Sequence, residues 1–129
     1  MKILHSSVMT VKDHNNGNPS NLQWIQIDDV VIDRLAHEMR VKGKPIKLTR
    51  KEFNLLWALG SDPECVFRRE ELLKMVWGTN IAVEPRTVDA HIARLRRLFK
   101  KEKNISPSIE TVWGIGYRLR KKYILSAEE

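Results

Sequence analysis

With 129 residues, 42% of them hydrophobic and 30% charged, the chain can fill one compact core and has little left for a second. No stretch approaches the roughly 18 consecutive apolar residues of a membrane-crossing helix, and the start at Met1 to Leu4 is too short for a signal peptide, so a soluble cytoplasmic protein is expected. The net charge of +7 is uneven, with 5 basic and 5 acidic side chains in residues 1–43, 7 and 5 in 44–83, and 11 and 6 in 84–129, which suggests a polyanion for the C-terminal part, through phosphates or anionic lipid.

Residues 1–22 show no sustained period and are rich in turn formers from Asp13 to Ser20. They read as a linker; a short strand at the start, or a start foreign to the fold, are the alternatives. Between Trp24 and Leu48, β-branched and apolar runs at 24–27, 30–32, 39–41 and 46–48 are broken by Asp28-Asp29 and Gly43-Lys44-Pro45, the pattern of a small antiparallel sheet. Thr49 then opens a helix, because Thr49-Arg50-Lys51-Glu52 has the reciprocal capping-box spacing and leads into Phe53, Leu55, Leu56, Trp57 and Leu59. Gly60 and Pro63 end it.

Cys65 is the only cysteine, so no internal disulfide or multi-cysteine zinc site is available, and the four histidines lack ligand spacing. No metal or cofactor is expected. Cys65 reads as a reduced bystander, with redox sensing the alternative. A second helix runs from about Arg68 to Trp77, with Leu72, Leu73, Val76 and Trp77 at helical spacing and Gly78 at its end. A third begins near Pro85, a residue suited to a first helical turn, and continues to about Lys101. Past a polar turn at 104–107, runs at 109–113 and 117–120 flank Gly114-Ile115-Gly116 as a hairpin. Residues 23–122 therefore form one folded domain and residues 123–129 a charged tail.

The third helix has two unlike faces. At about 100° per residue, Val88, Ile92, Leu95 and Phe99 fall on one side, with Leu98 and His91 beside them, and these anchor it to the core. Arg86, Arg97, Lys100 and Lys101 fall opposite, Arg94 and Arg96 flank them, and Ala90 and Ala93 occupy the middle. Groove entry needs such a set: alanines let the backbone approach base edges, an arginine can bind guanine bidentately, and flanking cations contact phosphates. The competing reading is an ordinary solvated cationic face. The following hairpin ends in Tyr117, Arg118, Arg120, Lys121 and Lys122, a second cationic element beside the first. Edge protection accounts for Lys121 and Lys122 but leaves Trp113 near the tip unexplained.

Four segments carry a resemblance: LTRKEFNLLWAL from Leu48, FRREELLKMVWG from Phe67, VEPRTVDAHIARLRRLF from Val83 and IETVWGIGYRL from Ile109. In this order and spacing, covering about residues 24–120, they resemble the C-terminal effector domains of OmpR/PhoB-type bacterial response regulators. The resemblance implies an α+β winged helix-turn-helix with an N-terminal four-stranded antiparallel sheet, three helices and a C-terminal β-hairpin. It implies sequence-specific binding of double-stranded promoter DNA, with tandem copies on direct repeats. Arg94 would be the main base reader, with Asp89 and Ala90 facing the groove. Arg86, Thr87, His91, Arg96 and Tyr117 would meet the backbone, as would the cations Arg97 and Arg118. Each has a plainer alternative: Asp89 pairs with Arg86 or caps the first turn, His91 packs, and Arg96 is solvated.

The loop of Gly78, Thr79, Asn80, Ile81, Ala82, Val83 and Glu84 is longer than the turn of a simple helix-turn-helix, and the resemblance implies contact with RNA polymerase there. Trp77 would approach the phosphate backbone, or pack against core and loop. In the wing, formed around Trp113, Gly114 and Gly116, Trp113 stands where a minor-groove arginine or lysine is frequent, and Ala93 stands where a further basic residue is frequent. Packing beneath the wing is the favoured placement of Trp113, contact with sugar and backbone the other. Relatives carry a phosphoacceptor receiver, which residues 1–22 are too short to be, so the chain is expected to act as an isolated effector domain, its receiver removed or naturally absent, monomeric alone and weak on single half-sites.

An enzyme is not expected, since no Ser/His/Asp, Cys/His, metal or phosphate-loop constellation appears. A membrane-surface role would require the apolar face of the third helix to leave the core. A winged helix used for protein contacts, with residual DNA affinity, is the third possibility.

Overall fold

A computed structural model describes residues 23–79, 82–101 and 107–122. The proposed linker 1–22 and tail 123–129, Asn80 and Ile81 of the long loop, and most of the turn at 104–107 lie outside the described residues.

Four short strands, β1 (Trp24–Ile27), β2 (Val30–Asp33), β3 (Glu38–Val41) and β4 (Lys44–Ile46), form an antiparallel meander in the order β1-β2-β3-β4. Alternation decides the face: Ile25, Ile27, Val30, Ile32, Met39 and Val41 are buried, and their neighbours are half-buried or exposed. The fourth strand lies two residues earlier than the apolar run at 46–48 suggests. Lys42 and Gly43 both have positive φ, at 52° and 84°, so a two-residue turn returns the chain at Lys44, opposite Val41. Pro45 is accommodated because β4 is an edge strand.

Three helices follow: α1 (Arg50–Gly60), α2 (Arg69–Trp77) and α3 (Arg86–Lys100). The capping box of α1 is present in full: the Glu52 amide donates to Thr49 Oγ1 (3.2 Å), and the Thr49 amide donates to Glu52 Oε1 (2.9 Å). At the start of α2 the Arg68 amide donates to Glu71 Oε1 (2.7 Å). Pro85 has helical angles, and the Thr87 and Val88 amides donate three residues back to Glu84 and Pro85, so α3 opens on a tight first turn. Phe53, Leu55, Leu56 and Leu59 of α1, Leu72 and Val76 of α2, and Val88, Ile92, Leu95 and Phe99 of α3 share one core with the strands, each full burial contributing roughly 1.5–3 kcal/mol. No helix among the described residues is long and apolar enough to cross a membrane.

A second sheet completes the fold. The hairpin strands β6 (Ser108–Val112) and β7 (Gly116–Arg120) are joined by β5 (Phe67–Arg68), in the order β5-β7-β6. Two residues show no alternation, so β5 is invisible in the sequence, where α2 begins at Arg68. Gly116 belongs to a strand rather than the loop, opposite both Val112 and Arg68. Ile109, Tyr117 and Leu119 bring the hairpin into the core. Its end is tied down by the Lys121 amide on Glu64 Oε2 and the Lys122 amide on Asp28 Oδ2.

Candidate nucleic-acid interface

The outward row of α3 is Arg86, Ala90, Ala93, Arg97 and Lys100, all exposed and spaced three or four residues apart. Cations stand at both ends and alanines in the middle. Arg86 and Arg97 are about 16 Å apart along the axis, so the row carries cations at two well-separated points with only small side chains between them. Arg97, Lys100 and Lys101 have no ionic partner among the described residues. Arg86 pairs with Glu84 at 3.0 Å, but both side chains are at least 71% exposed, a contact phosphate can replace.

On one flank of this row α3 is tied to α1. Glu52 is 5% exposed, and each of its oxygens has a donor: Thr49 N on Oε1 and Arg94 Nε on Oε2 (3.0 Å). Arg94 Nη2 lies 3.3 Å from His91 Nε2, and His91 Nδ1 lies 2.9 Å from the Thr87 carbonyl. A carbonyl only accepts, so we assign the proton to Nδ1 and leave Nε2 to accept from Arg94. Trp77 is half-buried and meets the His91 ring edge-on at 4.9 Å, while Lys51 Nζ donates to the Val76 carbonyl and lies 5.8 Å from the Trp77 ring. Arg94, Thr87, His91 and Trp77 therefore form one cluster at the edge of the row.

The other flank is tied to the wing. Asp89 receives Arg69 through Nε (3.1 Å) and Nη2 (2.8 Å), and the Tyr117 hydroxyl donates to it at 2.7 Å. Its partner is thus Arg69 of α2, neither Arg86 nor its own first turn. Arg96 is not solvated: it donates to the Ile109 carbonyl through Nε and Nη2 and to Thr111 Oγ1 (2.8 Å), and its guanidinium lies 5.6 Å from the Tyr117 ring. In the wing, Arg118 is paired with Glu110, whose carboxyl it holds below the ordinary range, and Arg120 lies near Glu110 and Glu64. Trp113 does not pack beneath the wing. Its side chain is 87% exposed, because the turn at 113–115 projects it past the last strand pair, Val112 with Gly116. Of the long loop, Gly78, Thr79, Ala82 and Glu84 are exposed and Val83 is half-buried.

Burial, and next the hydrogen bond to Asp89, push the Tyr117 phenol from its ordinary 10.0 up to about 12. Because the folded value is the higher one, this group's contribution to stability is complete below about pH 10 and is lost as pH rises towards 12. In a Tyr123→Phe variant, where Tyr117 is the only tyrosine, the ultraviolet tyrosinate band is expected to rise with a midpoint near 12. A midpoint near 10 would mean that the phenol is neither buried nor bonded to Asp89.

The family described as "Transcriptional regulatory protein, C terminal" matches residues 43–119. The chain belongs to this family. Among curated relatives it is 42% identical over 95 residues to the uncharacterized transcriptional regulatory protein YclJ of Bacillus subtilis, covering 73% of this chain and 41% of YclJ. Among solved structures it matches the DNA-binding domain of CpxR from E. coli (29% identity, TM-score 0.68, 78% of this chain and 98% of that one). It also matches the Klebsiella pneumoniae RstA DNA-binding domain in complex with the RstA box (26% identity, TM-score 0.66, 76% and 97%). The chain spans less than half the length of the curated relatives it matches.

As a transcriptional-regulator C-terminal domain of the OmpR/PhoB response-regulator type, the chain is a DNA-binding effector module rather than an enzyme. Two residues of its interface escape sequence reasoning. Glu52 is recognisable as a capping residue, but nothing local shows that its second oxygen holds Arg94, 42 residues away. Arg69 looks like any cation on α2, and only the fold brings it to Asp89, 20 residues on.

Proposed function

We propose that this domain reads promoter DNA by laying the outward row of α3 in the major groove, with the wing on the flanking backbone, and that tandem copies occupy direct repeats. The observation that carries this reading is the row itself: exposed alanines at the centre, cations at the ends, and both flanks fixed by Glu52–Arg94 and Asp89–Arg69–Tyr117. A helix held on both sides meets the duplex without further ordering cost. A solvated face explains the cations but gives no reason for two adjacent small residues between them.

Within this proposal Ala90 faces base edges, and Arg94 and Asp89 stand at either margin of the row. Arg94 reads a base by exchanging Glu52 or His91 for a guanine edge. Arg86, Thr87, His91, Arg96, Arg97, Trp77, Tyr117 and Arg118 line the backbone, and the exposed part of the 78–84 loop is the surface offered to RNA polymerase. In isolation the domain is monomeric and gains affinity from adjacent copies on DNA.

Titrations of a preferred duplex and its single-base variants test these roles. Arg94→Ala is expected to cost about 1–3 kcal/mol and to relax preference at one base pair. Uniform weakening on every sequence would remove Arg94 from base reading and leave it an anchor of α3. Arg86→Ala is expected to weaken all duplexes alike and to reduce the salt dependence by about one unit, and an unchanged dependence would exclude it from the phosphate contacts.

A further inference from the structure

The wing tip combines features that a cationic backbone contact does not need. Trp113 is 87% exposed and Ile115, two residues on, is 52% exposed, so two large apolar side chains share one short turn. The turn is well defined: the Ile115 amide donates to the Val112 carbonyl (2.9 Å), and Gly114 between them has φ +80°, a conformation the flanking side chains would resist. The hairpin beneath it is fixed to the reading helix through Tyr117 on Asp89 and Arg96 on Ile109 and Thr111. The tip itself, Trp113-Gly114-Ile115, carries no guanidinium to place in a narrow groove: the hairpin's arginines, Arg118 and Arg120, stand on β7, beside Glu110 and, for Arg120, Glu64. What it presents is a rigid apolar edge.

We propose that Trp113 and Ile115 form a wedge that enters the minor groove next to the segment held by α3, partly unstacks one base step and bends the duplex. The proposal rests on the reading of α3 as the major-groove element, which places the wing beside the adjoining minor groove. Apolar side chains inserted between base steps bend DNA towards the major groove, and the bend brings more duplex against the protein. A cleft of about 550 Å³ lies between the tip and the start of α2, lined by Trp113, Ile115, Thr111, Tyr117, Arg69 and Arg68. The exposed Arg68 has no ion-pair partner among the described residues, so the strand bordering the wedge finds a cation there. A flexible step such as TA or CA at the wedge position is preferred, because it unstacks most easily.

The test uses the full chain and a duplex selected from random sequence, labelled at both ends for energy transfer and carrying 2-aminopurine at each flanking step in turn. Trp113→Ala and Trp113→Arg are compared with the parent; the side chain is exposed, so neither substitution disturbs the fold. The expected result is that the parent shortens the end-to-end distance and raises 2-aminopurine fluorescence at one step. Trp113→Ala should keep the sequence preference, lose both signals and bind roughly tenfold more weakly. Trp113→Arg should recover affinity without the fluorescence rise. If Trp113→Ala binds and bends like the parent with its preference intact, the wedge is wrong and the reading of α3 stands. If the parent prefers no sequence and brightens no step, both fail. Binding to anionic vesicles that depends on Trp113 while DNA bending does not would also overturn the wedge.

Discussion

Gly116→Ala is expected to lower stability by about 3 kcal/mol or more, a fall of at least about 10 °C in Tm for a domain of this size. A Cβ at this position would lie 1.9 Å from the Phe67 carbonyl oxygen, 2.9 Å from its carbon and 3.0 Å from Arg68 Cα. All three are backbone atoms, so no side chain can turn aside; β5 must move away from β7. Since β7 also carries Tyr117 to Asp89, the displacement reaches α3, and DNA affinity should fall with stability. Thermal unfolding with parallel duplex titration measures both. A Tm within about 2 °C of the parent would show that β5 does not pack against Gly116.

Ala93→Glu is expected to do the opposite: leave the fold intact and abolish binding. Ala93 is exposed at mid-helix, and glutamate is nearly as good a helix former as alanine, so Tm should change by no more than about 2 °C. With α3 in the groove as proposed, an added carboxylate would face two phosphate walls, and like charges in contact cost several kcal/mol, which corresponds to at least about a 100-fold loss of affinity. Unchanged affinity with an unchanged fold would place the DNA on another face of the molecule.

Much of the architecture was legible because its signals are local. The capping box at Thr49 and Glu52, the apolar period of α3 and the glycine-bearing hairpin each fit within a single helix or hairpin, and the structure shows all three. The offset of β4 and the existence of β5 were not legible: one depends on φ at Lys42 and Gly43, the other on a partner strand 50 residues away, Phe67 with Tyr117. The outward row of α3 could be drawn from helical geometry alone. What holds its flanks could not, because Glu52 and Arg69 reach Arg94 and Asp89 only through the packing of three helices. Trp113 shows the same limit from the other side. An aromatic in a β-turn has no register to place it, and the expectation that it packs gives way to a turn that holds it in solvent.

If α3 reads sequence rather than merely attracting phosphate, it must discriminate between duplexes of equal charge. Selection of random duplexes by the purified chain, followed by titration of the winner and a scrambled duplex at two salt concentrations, measures that discrimination. A shared motif is expected, bound more tightly than its scrambled counterpart at both salts, with both affinities falling as salt rises. Salt-sensitive binding with no shared motif and no gap between the two duplexes would contradict it.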